Sequence, residues 1–148
     1  MSKPSYVYVT YIRASAEKVW SAITDREMTP RYWGHANVSD WQPGSRWEHR
    51  RTDGSGIADV VGTVVESAPP ARLVTTWTDP ADDSRSSRVT FVIEPYREIV
   101  RLTVTHEDLW DDQELSDVGQ GWPAVLSNLK TMLETGRVLS QAPWTMGQ

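Results

Sequence analysis

The sequence predicts an α+β domain: a curved antiparallel sheet of about six strands gripping a long C-terminal helix, with short helices after the first strand. Three observations predict it. The elements run strand, helices, a series of strands, then one long helix. The later strands are joined by short connections, which favours an antiparallel meander. The last segment places Trp122, Val125, Leu126, Leu129, Met132, Leu133 and Gly136 on one helical stripe. Such a helix must bury its stripe against the sheet, and a sheet that curls around it readily leaves a cavity.

Each element has its own signal. Tyr6 to Ile12 is rich in β-branched and aromatic residues and reads as a strand. Ser15 suits a helix N-cap, and Ala16, Val19, Trp20 and Ile23 follow at helical spacing as far as Asp25. Arg26 to Trp33 fits a second short helix or turn with Pro30 early in it. Gly34 to Gly44 reads as a loop. Ser45 to Thr52 and Ala58 to Ser67 are strands around the turn Asp53-Gly-Ser-Gly56. Pro69-Pro70 ends the second of them. Arg72 to Asp79 follows, with Leu73, Thr75 and Trp77 on one face, and Pro80 to Ser86 reads as a polar loop. Ser87 to Glu94 and Ile99 to Glu107 flank a tight turn at Pro95-Tyr96-Arg97-Glu98. The acid-rich stretch from Glu107 to Asp117 reads as a solvated linker. The long helix is expected from about Asp117 or a turn later, with Pro123 in its first turn. One domain is expected over 6–139, followed by a tail over 140–148.

Composition narrows the function. Fifteen basic and 20 acidic residues give a net charge of −5, without the basic patch that a nucleic-acid or anionic-membrane partner requires. There are no cysteines, so disulfides, thiolate metal sites and cysteine nucleophiles are excluded. No apolar run approaches membrane-span length, and the N-terminus has no signal-peptide core, so a cytoplasmic location is expected. No metal-ligand spacing, phosphate loop or nucleophile elbow is present, and neither a metal nor a cofactor is expected.

Eight tryptophans stand against a single phenylalanine, too many to hide fully in a small domain. Trp33, Trp47, Trp77 and Trp122 lie on elements that face the sheet–helix interior or its mouth. Trp20 reads as plain core, while Trp41, Trp110 and Trp144 sit in loops or the tail and are expected to rim an opening or cover core edges. Leu102, Val104 and His106 share one face of the last strand, so His106 points inward. It suits an acid/base, a ligand anchor, or a core histidine satisfied by a neighbour such as Thr90.

Several segments together resemble a known family. They are Tyr11-Ile-Arg-Ala-Ser-Ala-Glu-Lys-Val-Trp20, Tyr32-Trp-Gly34, Asp40-Trp-Gln-Pro-Gly-Ser45, Pro69-Pro-Ala-Arg-Leu73, Ser87-Arg-Val-Thr-Phe91, Leu102-Thr-Val-Thr-His106, and Gly121-Trp-Pro-Ala-Val-Leu126 with Asn128-Leu-Lys130. In order and spacing they resemble the START-like (SRPBCC, helix-grip) superfamily. Within it they are similar to the branch named for the C-terminal domain of the activator of the 90-kDa heat-shock chaperone's ATPase. The resemblance implies a curved sheet around the last helix and a deep apolar cavity, used by relatives for lipids, polyketides and other hydrophobic molecules. It carries no catalytic set onto this chain, and the co-chaperone's Trp/His/Asn-rich N-terminal signature is absent. A shared domain does not by itself transfer a chaperone role.

The expected function is non-catalytic binding of a small hydrophobic, aromatic molecule. The candidate ligand-binding residues are Trp33, His35, Trp47, Trp77, Phe91, Leu102, Val104, His106, Trp122 and Leu126. Two alternatives stand beside it: a cyclase- or hydrolase-type enzyme using His106 or His35, and a protein-interaction or stress-related regulatory module with a protein partner. The oligomeric state is left open.

Overall fold

The computed structural model describes residues 3–146. Strand β1 (Tyr6–Ile12) leads into helix α1 (Ala16–Thr24), and the Ser15 side chain accepts a hydrogen bond from the Lys18 N–H to cap it. Helix α2 (Thr29–Trp33) follows and ends at Gly34, which is left-handed at φ +82°. The strands β2 (His35–Val38), β3 (Arg46–Arg51), β4 (Ala58–Ala68), β5 (Arg72–Asp79), β6 (Asp82–Tyr96) and β7 (Ile99–Glu107) come next, and then helix α3 (Asp112–Thr135). All seven strands form one antiparallel sheet in the order β1-β7-β6-β5-β4-β3-β2. The first strand therefore pairs with the last, and Tyr6 lies opposite His106. Helix α3 packs on β1 and on α2, and its residues Trp122, Val125, Leu126, Leu129 and Met132 are buried on the concave side of the sheet.

The predicted α+β class holds, and four details differ. The loop expected over Gly34 to Gly44 contains β2, which pairs with β3 from His35↔Arg51 to Val38↔Glu48. Four residues with one alternation are too few to announce a strand; the ladder partner creates it. Residues 82–86 of the expected polar loop belong to β6, with Asp79 paired to Asp82 and the Thr78 and Ser86 hydroxyls 2.9 Å apart. That end of the hairpin is largely solvent-exposed, so it carries polar side chains and hides its strand character. Helix α3 starts at Asp112, earlier than expected. The Asp111 side chain accepts from the Glu114 N–H at 2.9 Å, and Glu114 accepts from the Trp110 N–H at 3.2 Å. The acids of this stretch thus cap a helix and complement its dipole, in place of solvating a linker. Pro123 lies inside α3, and Gly136, read as part of the stripe, is its left-handed terminator.

Buried polar groups join the layers. Tyr32 is fully buried and donates to the Ala22 carbonyl at 2.7 Å; burial raises its phenol far above the usual range. Asn128 of α3 donates to the Tyr32 carbonyl at 3.1 Å and accepts from the Leu139 N–H at 2.7 Å. Among the described residues no helix is long and apolar enough to cross a membrane.

Gly62 sets the packing of the concave face. It pairs with Trp47, whose indole crosses over it to donate to the Thr76 carbonyl at 2.7 Å. A Cβ at Gly62 would lie 1.9 Å from that carbonyl oxygen and 2.5 Å from the indole nitrogen. Gly62→Ala should therefore cost about 2–4 kcal/mol, combining overpacking with a displaced hydrogen bond. Urea unfolding checks this, and a loss under ~0.5 kcal/mol would contradict the packing account.

Candidate functional site

The site is built from inward-facing residues of β3, β5 and β7 and from residues of α2 and α3. Strand alternation turns Trp47 and His49 of β3 to the concave side, together with Thr75 and Trp77 of β5 and His106 of β7. Trp33 comes from the end of α2 and Trp122 from the buried stripe of α3. Their rings form one continuous cluster. Trp77 lies 5.9 Å from Trp33 in a stacked pair, 5.3 Å from Trp47, and 5.4 Å from both Trp122 and His106. Trp33 meets Trp122 edge-on at 5.4 Å, and Phe91 meets Trp122 at 5.8 Å.

This cluster fills the deep cavity implied by the resemblance. Behind Trp33 and Trp77, a void of only about 10 Å³ remains. The open space lies outside the cluster, in two adjoining clefts that share Trp77 and Val118. One, of about 290 Å³, is lined by Trp33, Trp77, Trp122 and Trp144, with His35, His49 and Asp117 among its polar groups. The other, of about 320 Å³, is more polar and includes Asp59, Arg85, Ser87, His106 and Glu114.

The ten predicted residues therefore separate. Trp33, His35, Trp77, His106 and Trp122 line one or both clefts. Trp47 and Phe91 border the inner void. Leu102, Val104 and Leu126 are core residues that line neither cleft. His49, Trp144, Val118 and Asp59 also line the clefts and lie outside the ten predicted residues. His49 had a signal, since it alternates with Trp47 and so shares its face. Trp144 is one of the loop and tail tryptophans expected to rim an opening or cover core edges, and a short turn at Pro143–Thr145 packs on α3. Its indole lies where a Cβ on Gly34 would come within 2.9 Å.

The three histidines have different surroundings. The Trp122 indole N–H donates to His106 Nδ1 at 3.1 Å, which leaves the ring proton on Nε2 to donate to Ser87 Oγ at 2.7 Å. Both His106 nitrogens are thus engaged. Ser87 takes the place expected for Thr90, because Thr90 pairs with Thr105 and faces the other side of the sheet. His49 Nδ1 lies 2.6 Å from Asn37 Oδ1 and donates to it. His35 stacks on His49 at 4.2 Å with an 8° interplanar angle. Its Nε2 donates to Asp59 Oδ2 at 2.8 Å, and Arg51 forks onto the same carboxylate at 2.9–3.0 Å. The Arg51 and His35 hydrogen bonds hold Asp59 down to about 2.

Burial pushes His49 down to about 3; His35 adds to that shift and Asp59 opposes it. Burial alone lowers His106 to about 4. An unfolded histidine titrates near ~6.5. The folded values lie below it, so the unfolded chain binds more protons between them. Stability is therefore complete above about pH 6.5 and is lost as pH falls toward 4. Carboxylates of ordinary value take up protons mainly below about pH 5, so the upper part of this window reports the histidines. Between pH 6.5 and 5 the urea-unfolding free energy should drop by roughly 1 kcal/mol per pH unit for each buried histidine. His106→Gln should remove about half of that slope. Equal stability at pH 7 and pH 5 would contradict neutral, buried rings.

Comparisons with known proteins agree with this architecture. CalU16 from Micromonospora echinospora superposes with a TM-score of 0.74 at 24% identity, covering 92% of this chain and 77% of that one. The Aha1 dimer from Colwellia psychrerythraea gives 0.76 at 20% identity, with 90% and 98% covered. PFC0360w, an HSP90 activator from Plasmodium falciparum, gives 0.72 at 21% identity, with 87% and 95% covered. No protein with a curated description matches. The family described as activator of Hsp90 ATPase homolog 1-like protein matches residues 13–134, most of the chain. This protein therefore belongs to that family, on the START-like (SRPBCC) helix-grip fold.

Proposed function

We propose that the chain binds a small, apolar, aromatic molecule without transforming it, in the cleft formed by Trp33, Trp77, Trp122 and Trp144. The observation that carries this reading is the aromatic wall itself, which opens into about 290 Å³ with few polar groups. Mostly apolar concave space with a few convergent polar groups is the usual form of a small-molecule site. Members of this fold bind hydrophobic ligands, which supports the same reading. Stacking on indole faces favours planar ligands, and His35, His49 and Asp117 offer orienting hydrogen bonds at the edge.

One observation favours a second reading, acid/base catalysis. Asp59 accepts the His35 Nε2 proton, which leaves the lone pair on Nδ1, as a carboxylate does when it orients a catalytic histidine. His106 does not suit that role, because both its nitrogens are engaged within the protein.

Titration with flavonoids, fatty acids and aromatic polyketides should give saturable quenching of tryptophan fluorescence for planar aromatic members. Trp144→Ala leaves the sheet–helix core intact and should weaken that binding about three- to tenfold. A flat response across the panel, or affinity that ignores Trp144→Ala, would count against this cleft. Turnover of a bound compound that is lost in His35→Gln would favour the catalytic reading.

A further inference from the structure

The inner void and the outer cleft have Trp33 and Trp77 in common. These two stacked rings, 5.9 Å apart, are the partition between open space and the interior. Behind them, Thr75 is 2% exposed, and its hydroxyl has no hydrogen-bond partner among the described residues. A buried hydroxyl without a partner is costly and calls for a functional or solvent explanation. Thr75 borders the void together with Asn37. The Asn37 amide nitrogen has only a long contact, 3.4 Å, to the Ile23 carbonyl. Thr75 and Asn37 thus border a small space whose other lining is apolar and mostly aromatic.

We infer that the Trp33–Trp77 pair is a gate, and that Thr75 is the polar anchor selecting ligands whose leading edge carries a phenolic hydroxyl or aryl ketone oxygen. This rests on the binding reading above and deepens it. When the two rings separate, the void becomes the inner end of the cleft. A planar ligand slides in along the indole faces, and its oxygen meets the Thr75 hydroxyl, with the Asn37 amide beside it. A hydroxyl group both donates and accepts, so Thr75 serves either oxygen type. A ligand with only carbon at that edge leaves the anchor unpaired and gains nothing from it. Selectivity therefore comes from the hydrogen bond that an oxygen-bearing ligand adds.

The test uses two probes of one shape, 2-naphthol and 2-methylnaphthalene, titrated calorimetrically into the full chain. Thr75→Val is nearly isosteric and removes only the hydroxyl. It should weaken 2-naphthol about three- to tenfold and leave 2-methylnaphthalene unchanged, and Thr75→Ser should restore 2-naphthol binding. Thr75→Val should also melt no lower than the parent protein, since it deletes an unpaired group. In stopped-flow fluorescence, Trp33→Ala, which removes half of the gate, should speed 2-naphthol association severalfold. If both probes bind and Thr75→Val treats them alike, the anchor is refuted while aromatic binding stands. An unchanged association rate in Trp33→Ala refutes the gate. If neither probe binds, the anchor falls together with the binding reading on which it rests.

Discussion

Trp77 touches the rings of Trp33, Trp47, His49, His106 and Trp122, and the rest of the concave face is arranged around it. This indole lies on the concave face of β5, where it meets Trp122 of α3. Its neighbours come from α2, β3, β7 and α3, so one side chain ties the helical layer to three strands. Gly62 makes part of this possible: its missing Cβ lets Trp47 cross β4 and bond to the backbone next to Trp77.

Packing rings this densely restricts the polar groups among them. Histidines placed against indoles in low dielectric stay neutral, and each then needs a defined partner for its remaining proton. Ser87 accepts that proton from His106, and Asn37 accepts it from His49. The aromatic cluster thus explains the hydrogen-bond pattern and leads one to expect acid sensitivity. His35 lies at the edge of the same stack, its ring parallel to that of His49 at 4.2 Å, where solvent and Asp59 reach it.

A sheet curled around a helix encloses space, and side-chain volume decides whether that space is a cavity or a core. Here the indoles of Trp33, Trp47, Trp77 and Trp122 occupy most of it, and the accessible volume moves outward to the clefts beside Val118 and Trp144. In the proposed reading, this aromatic surface serves binding at the mouth of the fold and behind the two rings that close its interior.

The α+β class, the long amphipathic helix, the inward face of β7 and the clustering of four tryptophans were all legible in the sequence. They follow from residue periodicity, which is a local property. Strand β2 and the exposed end of β6 were not legible, because a partner's backbone makes those residues strands and their own side chains do not announce it. Nor was the role of the acidic stretch, since Asp111 and Glu114 become caps only once a helix begins between them. The site divided along the same line. Alternation along β3 and β5 determined that Trp47, His49, Thr75 and Trp77 face one way. Only the tertiary structure decided which rings close the interior and which line open space, because that depends on how side chains from distant elements fill one shared volume.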